Sequence, residues 1–119
     1  MNSPIPKQLK IKNGSNCLEL TYEGAKTYEL SFEFLRVLSP SAEVRGHGQG
    51  NEVLQYGKKL VTIQKIEPTG NYAVKITFSD QHDSGLYSWP LLYQFCQNKE
   101  KLWQEYLDKL NIADQSREP

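Results

Sequence analysis

Sulfur is scarce in this 119-residue chain, with two cysteines and one methionine, so a disulfide scaffold of the secreted kind is excluded. Cys17 falls in an expected strand and Cys96 on an expected helix, and both are read as reduced, mostly buried thiols. Charge of one sign is absent too: 14 basic and 14 acidic residues cancel. Without a cationic field to condense onto phosphates, no nucleic-acid partner is expected. No apolar run is long enough to span a bilayer, and Met1 to Lys12 is polar, with Pro4 and Pro6 where a signal peptide would be apolar. The expectation is a soluble, cytoplasmic chain with no membrane partner.

Catalytic signatures are missing as well. Gly46-His47-Gly48-Gln49-Gly50 exposes amides but fits neither nucleotide pattern. A dinucleotide fingerprint needs Gly-x-Gly-x-x-Gly between strand and helix, and Gly57-Lys58-Lys59 precedes a strand where a phosphate loop would open a helix. There is no Gly-x-Ser-x-Gly elbow, and neither histidine is followed two residues later by an acid. Hydrolase and 2-oxoglutarate oxygenase activities are therefore not expected, and the chain is read as no enzyme.

What is present is a hydrophobic fraction of 38% with aromatics at 11%, enough for one folded domain over 1–119 with an ordered core of about 8–110. Alternation predicts strands over Gln8–Lys12, Cys17–Tyr22 and Lys26–Leu30, with Asn13-Gly14 and Glu23-Gly24 as turns. Ser31 is placed to cap a short helix over Phe32–Leu38, which Pro40 ends. From Ser39 to Lys59 no period survives, which predicts a loop. Val61–Ile66 and Tyr72–Phe78 form the next strand pair, with Tyr72, Val74, Ile76 and Phe78 on one face, and Leu86-Tyr87 adds an edge segment. Ser88 caps a long C-terminal helix running to about Leu110, with Pro90 tolerated in its first turn. Its apolar positions, from Leu92 through Trp103, Tyr106 and Leu110, recur three or four apart with Lys99 interrupting. Asp114–Pro119 has no pattern and is expected to fray. The fold class is α+β: a small antiparallel sheet of about five to six short strands, a short helix and a long C-terminal helix.

Both histidines lie in the expected irregular segments, Leu35 to Gly48 and Phe78 to Gly85. His82 with His47, Asp80, Asp83 or Glu43 offers nitrogen and oxygen donors suited to iron or another borderline cation. Solvated turn residues and a satisfied imidazole are the other reading of the same side chains. Trp103 and Tyr106 belong to the core stripe, leaving Trp89 and Tyr93 as the more exposed aromatic pair.

The segments Leu35-Arg36-Val37-Leu38-Ser39-Pro40-Ser41-Ala42-Glu43-Val44 and Ser79-Asp80-Gln81-His82-Asp83 resemble the domain at the front of gamma-butyrobetaine hydroxylase. There a Leu-Arg pair precedes Cys-Pro-Cys and a further Cys, and these thiolates hold zinc together with a distant His in an Asp-rich turn. This chain resembles the small stand-alone bacterial proteins of that family over roughly Leu9 to Phe95. The resemblance implies an α+β fold and a zinc position at which Ser39, Ser41 and Val44 replace the three thiolates and His82 alone survives. A closed zinc site needs four deprotonated ligands, so no cofactor is expected there, iron or zinc being the alternative.

Two functions follow as expectations. The first is a non-catalytic binding or adaptor module whose protein partner meets a patch of Ser39, Ser41, Arg45, His47 and His82. The alternative is a metal-handling accessory protein with a rebuilt His/carboxylate site. It has support by analogy, since related domains are fused to Mrp-type ATPases that carry iron–sulfur clusters. Either a monomer or a homodimer fits the composition.

Overall fold

The structure is a computed structural model that describes residues 3–46 and 52–119. Six strands form among them, divided between two sheets. In the first, β1 (Gln8–Lys12), β2 (Cys17–Tyr22) and β3 (Lys26–Ser31) run antiparallel in the order β1-β2-β3. In the second, β4 (Ile63–Thr69), β5 (Ala73–Phe78) and β6 (Leu86–Ser88) do the same in the order β4-β5-β6. Strand-level alternation gives six short antiparallel strands, but which of them pair is a tertiary choice. The single sheet expected from sequence is two.

The helices are α1 (Phe32–Val37), α2 (Ala42–Arg45), α3 (Trp89–Gln97) and α4 (Lys99–Ile112). Both expected caps form: Phe34 N donates to Ser31 Oγ at 2.9 Å and Leu91 N to Ser88 Oγ at 3.3 Å. The long helix is broken, however, at Asn98, where φ and ψ are −118° and 22°. There the side-chain Nδ2 donates to Gln94 O at 3.2 Å, competing with the helical ladder. The break lets α3 pack against β3 of one sheet and β6 of the other.

One apolar cluster joins all of this, drawing Leu18, Leu20 and Leu30 from the first sheet and Val74, Ile76 and Phe78 from the second, with Phe32 and Leu92 from the helices. A smaller cluster of Val37, Tyr106 and Leu110 seats α4 on α1. Strand β4 begins later than the alternation suggests and runs through Pro68, which its place at the edge of the sheet tolerates. Tyr72 lies exposed before β5 and does not join the Val74 face. Cys17 and Cys96 are free and buried. Trp89 and Tyr93 are half-buried: the Trp89 indole donates to Asn71 O at 2.8 Å, and Tyr93 packs edge-on to Tyr22. Residues 114–119, which carry no sequence pattern, return to residues 57–59. Among the described residues no helix is long and apolar enough to cross a membrane.

Candidate functional site

Helix α1 is buried at every residue, Arg36 included. A guanidinium in such a place needs a carboxylate, and Asp80 supplies it from the β5–β6 turn: Arg36 Nε donates to Asp80 Oδ2 at 2.9 Å. Lys58 Nζ reaches the same oxygen at 2.7 Å, while Asp80 Oδ1 accepts from His82 N at 3.3 Å. Burial acts to raise the Asp80 carboxyl; the bonds from Lys58 and Arg36 outweigh it and bring the group below its ordinary value. Arg36 Nη1 is buried with no hydrogen-bond partner among the described residues.

The Asp80 turn is closed by Phe78 N donating to His82 O at 2.9 Å and by Gln81 at φ 71°. This geometry sends the His82 ring inward, to the stretch between α1 and α2. Ser39 Oγ lies 2.8 Å from His82 Nε2 and Ser41 Oγ 3.3 Å from the same nitrogen. Ser41 N donates to Ser39 Oγ at 3.3 Å. Ser41 occupies the N-cap position of α2 but makes no capping bond, its hydroxyl being turned to the histidine. On the far side of the ring, Nδ1 stands 3.6 Å from Glu43 Oε2, and Glu43 Oε1 accepts from Ser84 Oγ at 3.2 Å. Burial pulls the His82 imidazole below its ordinary value, and the Arg36 charge adds to this, so the ring is neutral near pH 7. With the proton on Nδ1, facing Glu43, Nε2 is the acceptor for the serine hydroxyls.

Ser39, Ser41 and His82 are all buried, Ser39 fully. This corrects the expected interaction patch: those three side chains support the surface from beneath and do not form it. Gly85 is part of the same packing, because a Cβ there would meet Ser39 Oγ at 2.5 Å and Pro40 Cδ at 3.1 Å. Above the node, Glu43 is 72% exposed at its side chain, Arg45, Asp83 and Ser84 are exposed, and Asp83 Oδ2 lies 4.0 Å from Lys75 Nζ. Arg45 also borders a cleft of about 590 Å³ whose walls include Val37, Leu38, Val44, Leu54 and Tyr106. His47 lies outside the described residues.

The residues at the zinc position that the resemblance implies do not fit a zinc ion. Two hydroxyls and the buried Val44 side chain stand where thiolates are required, and Nε2 already serves both serines. Nor do the carboxylates converge on His82 as a replacement set, since Asp80 is engaged by Arg36 and Lys58. Among the described residues no three His, Cys, Asp or Glu side chains are grouped to hold a metal. Sequence reasoning had Arg36, Ser84 and Gly85 inside the two singled-out segments but gave them no role, and it missed Lys58. A signal for Arg36 existed, as an arginine set between Leu35 and Val37 in a short helix.

The family model described as "Gamma-butyrobetaine hydroxylase-like, N-terminal" matches residues 9–93. No curated protein matches the sequence. Two proteins known from NMR solution structures are similar over 99% of this chain. One is 48% identical with a TM-score of 0.86 and 93% of its own chain covered; the other is 50% identical with a TM-score of 0.84 and 88% covered. A 1.93 Å crystal structure from Acidithiobacillus ferrooxidans, of a protein with unknown function in the DUF971 family, is 30% identical. That match covers 75% of this chain and 89% of the other, with a TM-score of 0.62.

Proposed function

The chain belongs to the gamma-butyrobetaine hydroxylase-like N-terminal family, and from that premise we propose that it is a cytoplasmic, non-catalytic binding or adaptor module. The observation that carries this reading is the mutual satisfaction of Ser39, Ser41 and His82 in the interior. A nucleophile, general base or metal ligand has to reach something outside itself, and here the groups that would do so are closed on each other. Ser39, His82 and Glu43 have the connectivity of a hydrolytic triad, but a fully buried hydroxyl offers a substrate no approach.

In place of metal or chemistry, the node fixes the 39–41 stretch to the His82 turn and so holds a surface of defined shape. That surface consists of Glu43, Arg45, Asp83 and Ser84, with the cleft beside Arg45, and a protein partner is its fitting ligand. The alternative of metal handling through His82 requires both serine contacts to break and Asp80 to leave two cations, which weighs against it. The test is affinity capture with cross-linking, comparing wild type with the Arg45→Glu variant, whose change lies on an exposed side chain outside the node. A partner recovered by wild type and lost from the variant supports the module. Identical proteins recovered by both defeat it.

A further inference from the structure

After α4 the backbone reverses at Asp114, a non-glycine residue at φ 55°, and Gln115 N donates to Leu110 O at 2.9 Å. The chain then lies along residues 57–59: Gly57 N donates to Ser116 O at 2.9 Å and Lys59 N to Arg117 O at 3.0 Å. Gly57 takes φ 69°, and a Cβ on it would stand 3.5 Å from Glu118 O and from Pro119 Cα. Lys59 Nζ donates to Glu118 Oε1 at 2.9 Å.

The centre of the contact is Arg117. Its Nε and Nη2 donate to the two oxygens of Glu33 at 2.9 and 2.7 Å, and its guanidinium carbon lies 5.2 Å from the centre of the Trp103 ring. Glu33 is only 6% exposed, so this bidentate pair keeps a buried carboxylate compensated.

The receptor half of this contact comes entirely from residues outside the strap. It consists of two main-chain donors, a buried carboxylate and an aromatic face, contributed by residues 57–59, α1 and α4. Each has a recognition role: amides for an extended backbone, a carboxylate for a planar fork, an indole for a delocalised cation. The strap itself, Gln-Ser-Arg-Glu-Pro, brings no large apolar side chain to the site and has little hydrophobic hold on it.

We propose that this groove is a docking site for an extended, arginine-bearing segment of a partner protein, which residues 115–119 occupy in cis. A short tether gives the strap an effective concentration of ~mM, so an incoming segment has to exceed that threshold, for example through a second contact. The inference rests on the Gly57 and Lys59 amides, Glu33 and Trp103, and stands whether or not the surface above His82 binds.

The experiment follows the Gly57 and Lys59 amides and the Trp103 indole by NMR in the full chain. A synthetic peptide of sequence Leu110–Pro119 is titrated into wild type and into Arg117→Ala, alongside the same peptide carrying Arg117→Ala. A charge-assisted bidentate pair corresponds to a factor of roughly 10 to 100 in affinity. The Arg117→Ala chain is therefore expected to bind the native peptide at ~10-fold lower concentration than wild type does, and the alanine peptide ~10-fold more weakly than the native one. Equal titrations of the two chains, or of the two peptides, overturn the proposal. Should Arg117→Ala fail to fold, hydrogen exchange in wild type decides: Gly57 and Lys59 amides opening at least ~100-fold more readily than those of β5 support a releasable strap, and equal protection refutes it.

Discussion

Replacing Ser39 by alanine isolates the node at the centre of this account. The hydroxyl is fully buried and 2.8 Å from His82 Nε2, and it also accepts from Ser41 N at 3.3 Å. Its loss leaves the imidazole with the Ser41 hydroxyl at 3.3 Å and deprives the Ser41 amide of that bond. Stranding a buried polar group in this way costs about 1–3 kcal/mol. At about 2.1 cal/mol/K per residue over 119 residues, unfolding carries an entropy near 0.25 kcal/mol/K, which makes the expected fall in Tm ~4–12 °C. Thermal and urea unfolding by circular dichroism at pH 7.5 measure it. The attribution to His82 comes from a cycle with His82→Ala, in which a coupling of at least ~0.5 kcal/mol is expected for partners in contact. A Tm within ~2 °C of wild type, or strictly additive losses in the cycle, would refute the reasoning.

Stability should also depend on pH through His82. The unfolded imidazole takes its proton near 6.5 and the folded one only at lower pH, so the stabilisation is complete above 6.5, declines below it, and is gone once pH has fallen through the lower value of the folded ring. Urea midpoints at pH 7.5 and 5.5 should show this loss in wild type and not in His82→Ala. A separate loss belongs to Asp80, present above 3.8 and disappearing as pH drops further, and Asp80→Asn should remove it. Gly85→Ala forces a Cβ against Ser39 Oγ and should cost about 1–3 kcal/mol by overpacking, against near-neutrality if the turn yields freely. Cys96 is pushed up to about 11 by burial and Cys17 is buried too, so neither thiol should react with an aromatic disulfide reagent within minutes at pH 8 until the protein is unfolded; prompt reaction would contradict their placement.

The parts of the fold that were legible in sequence are those decided locally. Val74, Ile76 and Phe78 alternate because one face of β5 is core, and Ser31 and Ser88 stand where a hydroxyl can meet a free helical amide. Helix α2 escaped notice because four residues are too few to show a period. The break at Asn98 depends on one side-chain bond that competes with the helix, and the division into two sheets on which strands pair across the shared core. At the site, the approach of Ser39 to His82 across 43 residues came from the family resemblance, since nothing in the spacing marks it. The Arg36–Asp80–Lys58 ion cluster was illegible for the same reason, as its members meet only once the turn after β5 is folded against α1.

The most direct test of the central claim, that hydrogen bonds hold the place of the family's metal, is elemental analysis of tag-free protein purified anaerobically beside His82→Ala. The account expects neither zinc nor iron near stoichiometry in either protein, with the variant differing only in stability. Near-stoichiometric metal in wild type that disappears in His82→Ala would contradict it and make His82 a ligand.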